Sequence, residues 1–224
     1  MISKIPKWVL LGGGVLAFNA GMINSIALLG FTHQAATHAT GNFTRLAIAI
    51  SQRDVQAIDE MFFILIFFFM GAVLTGVILK DGHLKLRKEY GWVLVIESGL
   101  LFAASYWFHQ GSVLGEYFAS MAAGMQNAMA STYSGAIIRT THLTGVLTDL
   151  GVLIGHILHR IPVDSRRLKL FLTLISAFVI GGIGGAYLYS HFSALAMLLP
   201  ACLIGLSAAI YFVVLNTKKH LYLT

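Results

Sequence analysis

The chain has 224 residues, of which 57% are hydrophobic and only 11% are charged. Its mean hydropathy is +0.79. Because so few charged side chains cannot cover a water-soluble surface at ordinary density, the natural solvent of this chain is a lipid bilayer. The single cysteine, Cys202, excludes a disulfide framework and a cysteine-rich metal site. We expect no cofactor and no metal ion.

Six apolar windows are long enough to span a bilayer, which takes about 20 residues. In chain order they are Trp8–Gly30, Met61–Leu79, Trp92–Phe108, Leu114–Ile138, Leu168–Tyr189 and Ala194–Leu215. Two further segments, at 31–51 and 140–158, begin with polar residues and end with apolar ones. Each is either a full span or a re-entrant element that enters and leaves the membrane on the same side.

The basic residues set the orientation, because cytoplasmic loops collect Lys and Arg. Such residues cluster at 80–88, at 160–169 and at 218–219, whereas the links at 109–113 and 190–193 contain none. All the basic segments and both termini fall on the cytoplasmic side only if the two ambiguous segments are re-entrant. The formal net charge of +6 is explained by these loops and by anionic lipid, so nucleic acid is not an expected partner.

The chain contains an internal repeat, which indicates duplication. Gly21-Met22-Ile23-Asn24 recurs as Gly124-Met125-Gln126-Asn127, and the ten residues at 37–46 recur at 141–150. Both copies of the second block contain the pattern Thr-His-x-Thr-Gly. Chance similarity between apolar segments would not match Thr, His, Asn and Gly in register.

These patterns predict an all-α polytopic membrane protein built from two inverted repeats. The first repeat is residues 1–111 and contains the re-entrant element at 31–51, and the second is residues 112–224 and contains the one at 140–158. Each repeat has three spanning helices, and because three is an odd number the second repeat must be inverted relative to the first. Many secondary transporters use inverted repeats with broken helices at the interface between the repeats.

The sequence resembles the YoaK-type family of bacterial inner-membrane proteins, which is defined as a domain of unknown function. The resemblance covers nearly the whole chain. It rests on Ala39-Thr40-Gly41-Asn42, on Gly124-Met125-Gln126-Asn127-Ala128 and on Arg139-Thr140-Thr141-His142-Leu143-Thr144-Gly145. It implies a multi-pass protein of the bacterial inner membrane and brings no established substrate.

Arg45 and Asp149 stand at equivalent positions of the two repeats, four residues after Gly41 and Gly145. Ionisable side chains inside a membrane are costly and usually pair in the bundle interior. The two are either a static salt bridge, a gate that breaks during transport, or not a pair. Glu97, in the third span, is a further candidate for proton coupling, with a snorkelling or hydrogen-bonded carboxyl as the alternative.

His38 and His142 are also equivalent, one in each Thr-His-x-Thr-Gly element. Histidine can relay protons or bind metal near neutral pH, so the two are candidates for coupling to a proton gradient. The alternative is that each is simply hydrogen-bonded to threonine or to backbone.

The polar breaks predict a mixed polar pocket for a small solute. The helices that open near Gly41 and Gly145 present free N–H groups and positive dipole ends, which suit an anionic group. Threonines spaced at i, i+4 place hydroxyls on one helix face, although they can instead bond to preceding carbonyls. The candidate binding residues are Asn24, His38, Thr40, Gly41, Asn42, Thr44, Gln126, Asn127, Arg139, Thr141, His142, Thr144, Gly145 and Thr148.

We therefore expect a small-solute transporter, an exporter or exchanger, with a midplane site between the two Thr-His-x-Thr-Gly elements. The expected partners are the solute and the lipid bilayer, and a homodimer stays open. One alternative is a structural or assembly protein whose polar breaks are packed dry. An intramembrane enzyme has less support, because the chain has no His-Glu-x-x-His, no Gly-x-Ser-x-Gly and no carboxylate pair placed for acid and base catalysis.

Overall fold

The computed structural model describes residues 7–30, 36–80, 87–134 and 140–221, and all the regular structure within them is helical. The predicted all-α class is therefore confirmed. The helices are α1 Lys7–Leu29, α2 Ala39–Gln52, α3 Val55–Ile78, α4 Lys88–His109, α5 Leu114–Ser134, α6 Leu143–Leu158, α7 Ser165–Phe192 and α8 Leu198–Leu221, with a short 3₁₀ helix at Ser193–Met197 between α7 and α8. Arg139 and part of the basic loop, 81–86, lie outside the described residues.

Four segments of the described chain are long and apolar enough to cross a membrane. They are Leu10–Leu29, Val55–Ile78, Lys88–His109 and Ser165–Thr217. The last segment is 53 residues long and contains α7, the 3₁₀ helix and most of α8, which the sequence predicted as two separate spans. The fold is thus that of a helical membrane protein.

The helix α5 is 21 residues long but does not reach the hydropathy of a span. It carries the buried polar residues Glu116, Ser120 and Gln126 among alanines and glycines. Because α3 and α4 pack closely against it, α5 presents small and polar residues to other helices rather than apolar ones to lipid. Hydropathy alone therefore does not confirm the predicted span Leu114–Ile138.

Two helices are too short to cross a bilayer, because a span takes at least about 17 residues. The helix α2 has 14 residues and α6 has 16. They occupy the later parts of the segments at 31–51 and 140–158, and each begins directly after the histidine of a Thr-His-x-Thr-Gly element, with His38 and His142 at the N-cap positions.

Glycine allows α1 and α7 to pack backbone to backbone. The carbonyl oxygen of Phe178 lies against Gly21 and that of Phe18 lies against Gly181, so neither glycine has room for a Cβ. The two helices run parallel, because Gly14 faces Thr173 at one end of the contact and Met22 faces Gly185 at the other.

The helices α3 and α5 cross in the same way and also run parallel. The carbonyl oxygen of Phe68 lies against Gly124, and that of Met121 lies against Gly71. One turn nearer the N-terminus of both helices, the hydroxyl of Ser120 donates a hydrogen bond of 2.9 Å to the carbonyl of Ile64.

The two crossings use equivalent residues. Positions in α1 and α5 differ by 103, as 124 − 21 and 121 − 18 show, and positions in α3 and α7 differ by 110, as 178 − 68 and 181 − 71 show. A third contact follows the same offsets. The hydroxyl of Thr75 donates to the carbonyl of Met125 at 3.2 Å, and at the equivalent place Gly185 lies against the carbonyl of Met22. Each crossing joins a helix of one sequence repeat to a helix of the other.

The helices α4 and α5 form an antiparallel hairpin in the main core. The ring of Phe108 fills the space beside Gly115 near the turn, and the rings of Tyr90 and Tyr133 meet edge to face at 5.4 Å at the far end. The positions of both pairs sum to 223, so one register holds along the whole hairpin.

The helix α8 packs on another side of α4 and is joined to it by hydrogen bonds at two levels. Ser98 Oγ donates to the carbonyl of Ala201 at 2.8 Å. Tyr211 Oη donates to the carbonyl of Arg87 at 2.7 Å and accepts from the N–H of Arg87 at 3.0 Å, which connects α8 to the N-cap residue of α4.

Candidate functional site

A cavity of about 550 Å³ lies where α2 and α6 begin. Among the described residues, the lining consists almost entirely of residues that are equivalent in the two repeats and in the two helix crossings. These are Asn24 with Asn127, Thr37 with Thr141, His38 with His142, Ala39 with Leu143, Thr40 with Thr144 and Phe68 with Phe178, together with Ser131. A volume of this size is in the range of small-molecule sites.

The N-terminal ends of α2 and α6 both face this cavity. His38 and His142 are the N-cap residues, and neither side chain caps its helix. The first intrahelical bonds run from the N–H of Asn42 to the carbonyl of His38 and from the N–H of Val146 to the carbonyl of His142. The N–H groups of 39–41 and 143–145 therefore have no helical acceptor, and they give this side of the cavity partial positive charge.

Two equivalent asparagines of the cavity differ in their hydrogen bonding. Asn24 Oδ1 accepts from the backbone N–H of Thr37 at 3.3 Å and from its hydroxyl at 2.7 Å. Asn127 Oδ1 is buried and has no hydrogen-bond partner among the described residues. A buried acceptor left unsatisfied at a cavity wall is suited to a donor on a bound molecule.

Gly41 and Gly145 lie beside the histidine rings rather than in the cavity lining. A Cβ on Gly41 would be 3.5 Å from Cγ of His38, which is ordinary contact, whereas a Cβ on Gly145 would be 2.6 Å from Cδ2 of His142. Glycine at 145 thus allows the His142 ring to fold back over the first turn of α6.

The other threonines predicted to bind solute use their hydroxyls within their own helices. Thr44 donates to the carbonyl of Thr40 at 3.1 Å, and Thr148 donates to the carbonyl of Thr144 at 2.9 Å. Both are exposed and neither is part of the cavity lining. Asn42 is buried in α2, outside the lining.

The three charged candidates lie away from the cavity lining. Arg45 and Asp149 are exposed on α2 and α6, and no salt bridge joins these two described side chains. Glu97 is completely buried in α4.

The candidate binding residue Gln126 is also outside the lining and is completely buried in α5. Gln126 Nε2 donates to the carbonyl of Leu16 at 2.6 Å.

Six residues of the described lining were not among the predicted binding residues, namely Thr37, Ala39, Phe68, Ser131, Leu143 and Phe178. Phe68 and Phe178 each precede a glycine by three residues, at Gly71 and Gly181. That shared Phe-x-x-Gly spacing was the available signal, but it is short and apolar. The repeat was found through Thr, His and Asn, which stand out against apolar sequence.

No group of three His, Cys, Asp or Glu side chains lies close enough to hold a metal ion in the part of the chain that the structure describes. The described lining of the cavity offers amides, hydroxyls, two imidazoles, helix N-termini and two phenyl rings.

The model of a protein family described as "Protein of unknown function (DUF1275)" matches residues 13–210. The chain belongs to this family. The match confirms the resemblance to the YoaK-type proteins that the motifs indicated. Every cavity-lining residue of this DUF1275 protein falls within the matched range. No curated protein and no solved structure matches the chain at a significant level.

Proposed function

We propose that this protein is a small-solute transporter of the bacterial inner membrane, an exporter or exchanger, and that the solute binds in the cavity between α2 and α6. The observation that carries the proposal is the composition of the lining, in which both sequence repeats contribute the same residue types. A site shared by two repeats can be exposed to either side of the membrane when one repeat rocks against the other.

The two helix crossings support an inverted arrangement of the repeats. Each pairs a helix from one repeat with a helix from the other, through equivalent glycines and carbonyls. We infer three membrane crossings per repeat, with α5 as one of them and with α2 and α6 as re-entrant elements. Under this arrangement both termini are cytoplasmic, and the cavity lies near the bilayer midplane.

The lining favours a small solute that has an anionic or strongly polar group and an apolar part. Two helix N-termini with free N–H groups suit a carboxylate or similar anion, as in transporters whose broken helices face their substrate. The unpartnered Asn127 Oδ1 requires a donor such as an amine or hydroxyl, and Phe68 and Phe178 supply apolar contact. A small zwitterionic or hydroxylated carboxylate meets all three requirements.

The histidines and the exposed charged residues are the groups that we expect to change during transport. His38 and His142 face the solute, so a proton on either ring would add positive charge beside an anionic group. Arg45 and Asp149 lie on α2 and α6, which are the elements that must move apart or together when access changes. A salt bridge formed in only one of the two access states would act as a gate.

A structural or assembly protein is the alternative function. It requires the polar breaks to be packed dry, because a wet cavity has no role in such a protein. The cavity of about 550 Å³ at the two breaks favours transport over this alternative. Polar backbone breaks at membrane depth are tolerated when they line such a cavity.

The proposal is tested with full-length protein reconstituted into liposomes and assayed for uptake of a panel of radiolabelled small carboxylates, including amino acids. Ser131→Trp introduces a large side chain at the cavity wall and should abolish uptake of any transported compound. Ser176→Trp is the matched control, because Ser176 is exposed on α7 and is not part of the lining.

One result would overturn transport as the function. It is an absence of binding and uptake for every compound in the panel, combined with no labelling of a cysteine at position 131 by water-soluble reagents. Equal uptake by Ser131→Trp and Ser176→Trp would instead overturn the cavity as the transport route.

A further inference from the structure

Glu97 is the deepest charged residue among those described. It is 0% exposed, and both of its carboxylate oxygens lack a hydrogen-bond partner among the described residues. A buried carboxylate without a partner is strongly unfavourable, and native proteins avoid it by pairing, by protonation or by binding an ion. The buried position of Glu97 therefore requires a bound proton or cation that neutralises its carboxylate.

The register of the α4–α5 hairpin places Gln126 at the level of Glu97. Their positions sum to 223, as do those of the contacting pairs Tyr90 with Tyr133 and Phe108 with Gly115. Glu97 is seven residues after Tyr90 and Gln126 is seven before Tyr133, so both lie about two helical turns along the same faces. Gln126 Oε1 is also buried and has no partner within the described chain.

Asn19, on α1, is a third polar residue with unsatisfied atoms, and it lies near the carbonyl that Gln126 contacts. Gln126 Nε2 donates to Leu16, and Asn19 follows Leu16 by one helical turn. Asn19 is 1% exposed, and neither its Oδ1 nor its Nδ2 has a partner in the described part of the molecule. The three residues thus leave four oxygens and one amide NH₂ group unsatisfied inside the bundle.

We propose that Glu97, Gln126 and Asn19 form a binding site for a small monovalent cation, either a proton or Na⁺. A protonated Glu97 would neutralise its charge and donate its O–H to an amide oxygen, whereas Na⁺ would take the carboxylate and amide oxygens as ligands. None of the three lines the solute cavity. Cation binding does not depend on the proposed transport, and only coupling of the two rests on it.

Few titratable groups near Glu97 can imitate its response. Among the described residues of α4 and of the helices packed against it, only Cys202 lies near the level of Glu97, since it follows Ala201, the partner of Ser98, and it is exposed. The others lie toward the ends of α4. Toward Arg87 they are Lys88, Glu89, Tyr90, Tyr133 and Tyr211, and toward the other end they are Tyr106, His109, Glu116, Tyr117, Asp59 and Glu60.

The experiment measures the melting temperature of the full-length protein in detergent micelles, without solute, across pH and across NaCl against equal choline chloride. Binding to the folded state alone raises Tm by mass action. If the site binds a proton, the Tm of the wild type should rise by about 3 °C for each pH unit of acidification. The Tm of Glu97→Gln should rise less over the same pH range. A sodium site predicts a rise with NaCl at fixed pH that Glu97→Gln lacks.

Glu89→Gln is the matched control, because Glu89 lies in the first turn of the same helix and is not buried. It should keep the cation dependence of the wild type. Gln126→Leu removes a ligand oxygen and should at least halve the sodium dependence of a sodium site. For a proton site the second variant is Glu97→Met, which has no titratable group and should lose the pH dependence, because the slope of stability with pH is set by the number of protons bound. The proposal is overturned if wild type and the folded Glu97 variant respond equally to pH and to Na⁺.

Discussion

Asn24 and Thr37 are joined by two hydrogen bonds, because Asn24 Oδ1 accepts from both the backbone N–H and the hydroxyl of Thr37. The equivalent asparagine of the second repeat, Asn127, has a buried Oδ1 without a partner among the described residues. The same residue type is therefore bonded within the protein in one repeat and left open at the cavity in the other. After duplication, one copy is hydrogen-bonded within the protein, and the other leaves an acceptor unsatisfied at the cavity.

Alanine substitution of the two asparagines should separate these roles. Asn24→Ala leaves the buried Thr37 without its acceptor and should destabilise the protein by about 1–2 kcal/mol. Asn127→Ala removes an oxygen that has no partner, so it should leave Tm nearly unchanged while weakening solute binding. Thermal unfolding in detergent and binding of the transported compound measure the two effects. Equal loss of stability in both variants would contradict this division.

The glycine crossings predict a large effect from one added methyl group. Gly71→Ala forces a Cβ into the carbonyl of Met121 and should cost about 1–3 kcal/mol of stability. Gly76→Ala, five residues later on the same helix, is the control, because nothing lies within 4 Å of its Cβ position. It should be neutral or stabilising by up to about 1 kcal/mol, since alanine favours helix. Similar Tm values for the two variants would show that the α3–α5 contact is looser than described.

Much of the fold followed from sequence because hydropathy and charge are local signals. The windows that became α1, α3, α4, α7 and α8 are long apolar runs, and a bilayer requires such runs to be helical. The window Leu114–Ile138 was predicted as a span, and α5 occupies its residues Leu114–Ser134 without reaching the hydropathy of one. Its polar residues face other helices, so its sequence reflects a tertiary environment that hydropathy does not report.

The candidate site was predictable to the extent that its residues are polar and repeated. Duplication alone indicated His38 and His142, which both line one cavity. Phe68 and Phe178 reach the same cavity from helices distant in sequence, and only the helix crossings bring them there. Whether a threonine lines the cavity or donates its hydroxyl to its own helix also depends on three-dimensional structure. Thr40 is part of the lining, whereas Thr44 donates to the carbonyl of Thr40.

The two glycines beside the histidines should differ in their tolerance of alanine. Gly145→Ala would place a Cβ 2.6 Å from the His142 ring, so the ring must rotate and change the cavity wall. Gly41→Ala puts its Cβ at 3.5 Å from His38 and leaves that ring in place. We expect Gly145→Ala to weaken solute binding at least tenfold with little change in Tm, and Gly41→Ala to bind within about twofold of the wild type. Equal affinities for the two variants would show that the position of His142 does not matter for binding.

Substitutions of Asp149 and Arg45 test whether these two charges form a static salt bridge or a gate. Since Asp149 is exposed and has no salt bridge with Arg45 in this structure, Asp149→Asn should change Tm by no more than about 1 °C. If the two charges meet in another access state, Arg45→Asp and Asp149→Arg should each lower uptake by at least fivefold, and the double exchange should restore at least half of it. Uptake in proteoliposomes and Tm are measured on the same preparations. A fall in Tm for Asp149→Asn would indicate a structural bridge, and failure of the double exchange would argue against direct pairing, because restored charge complementarity should recover a contact between the two side chains.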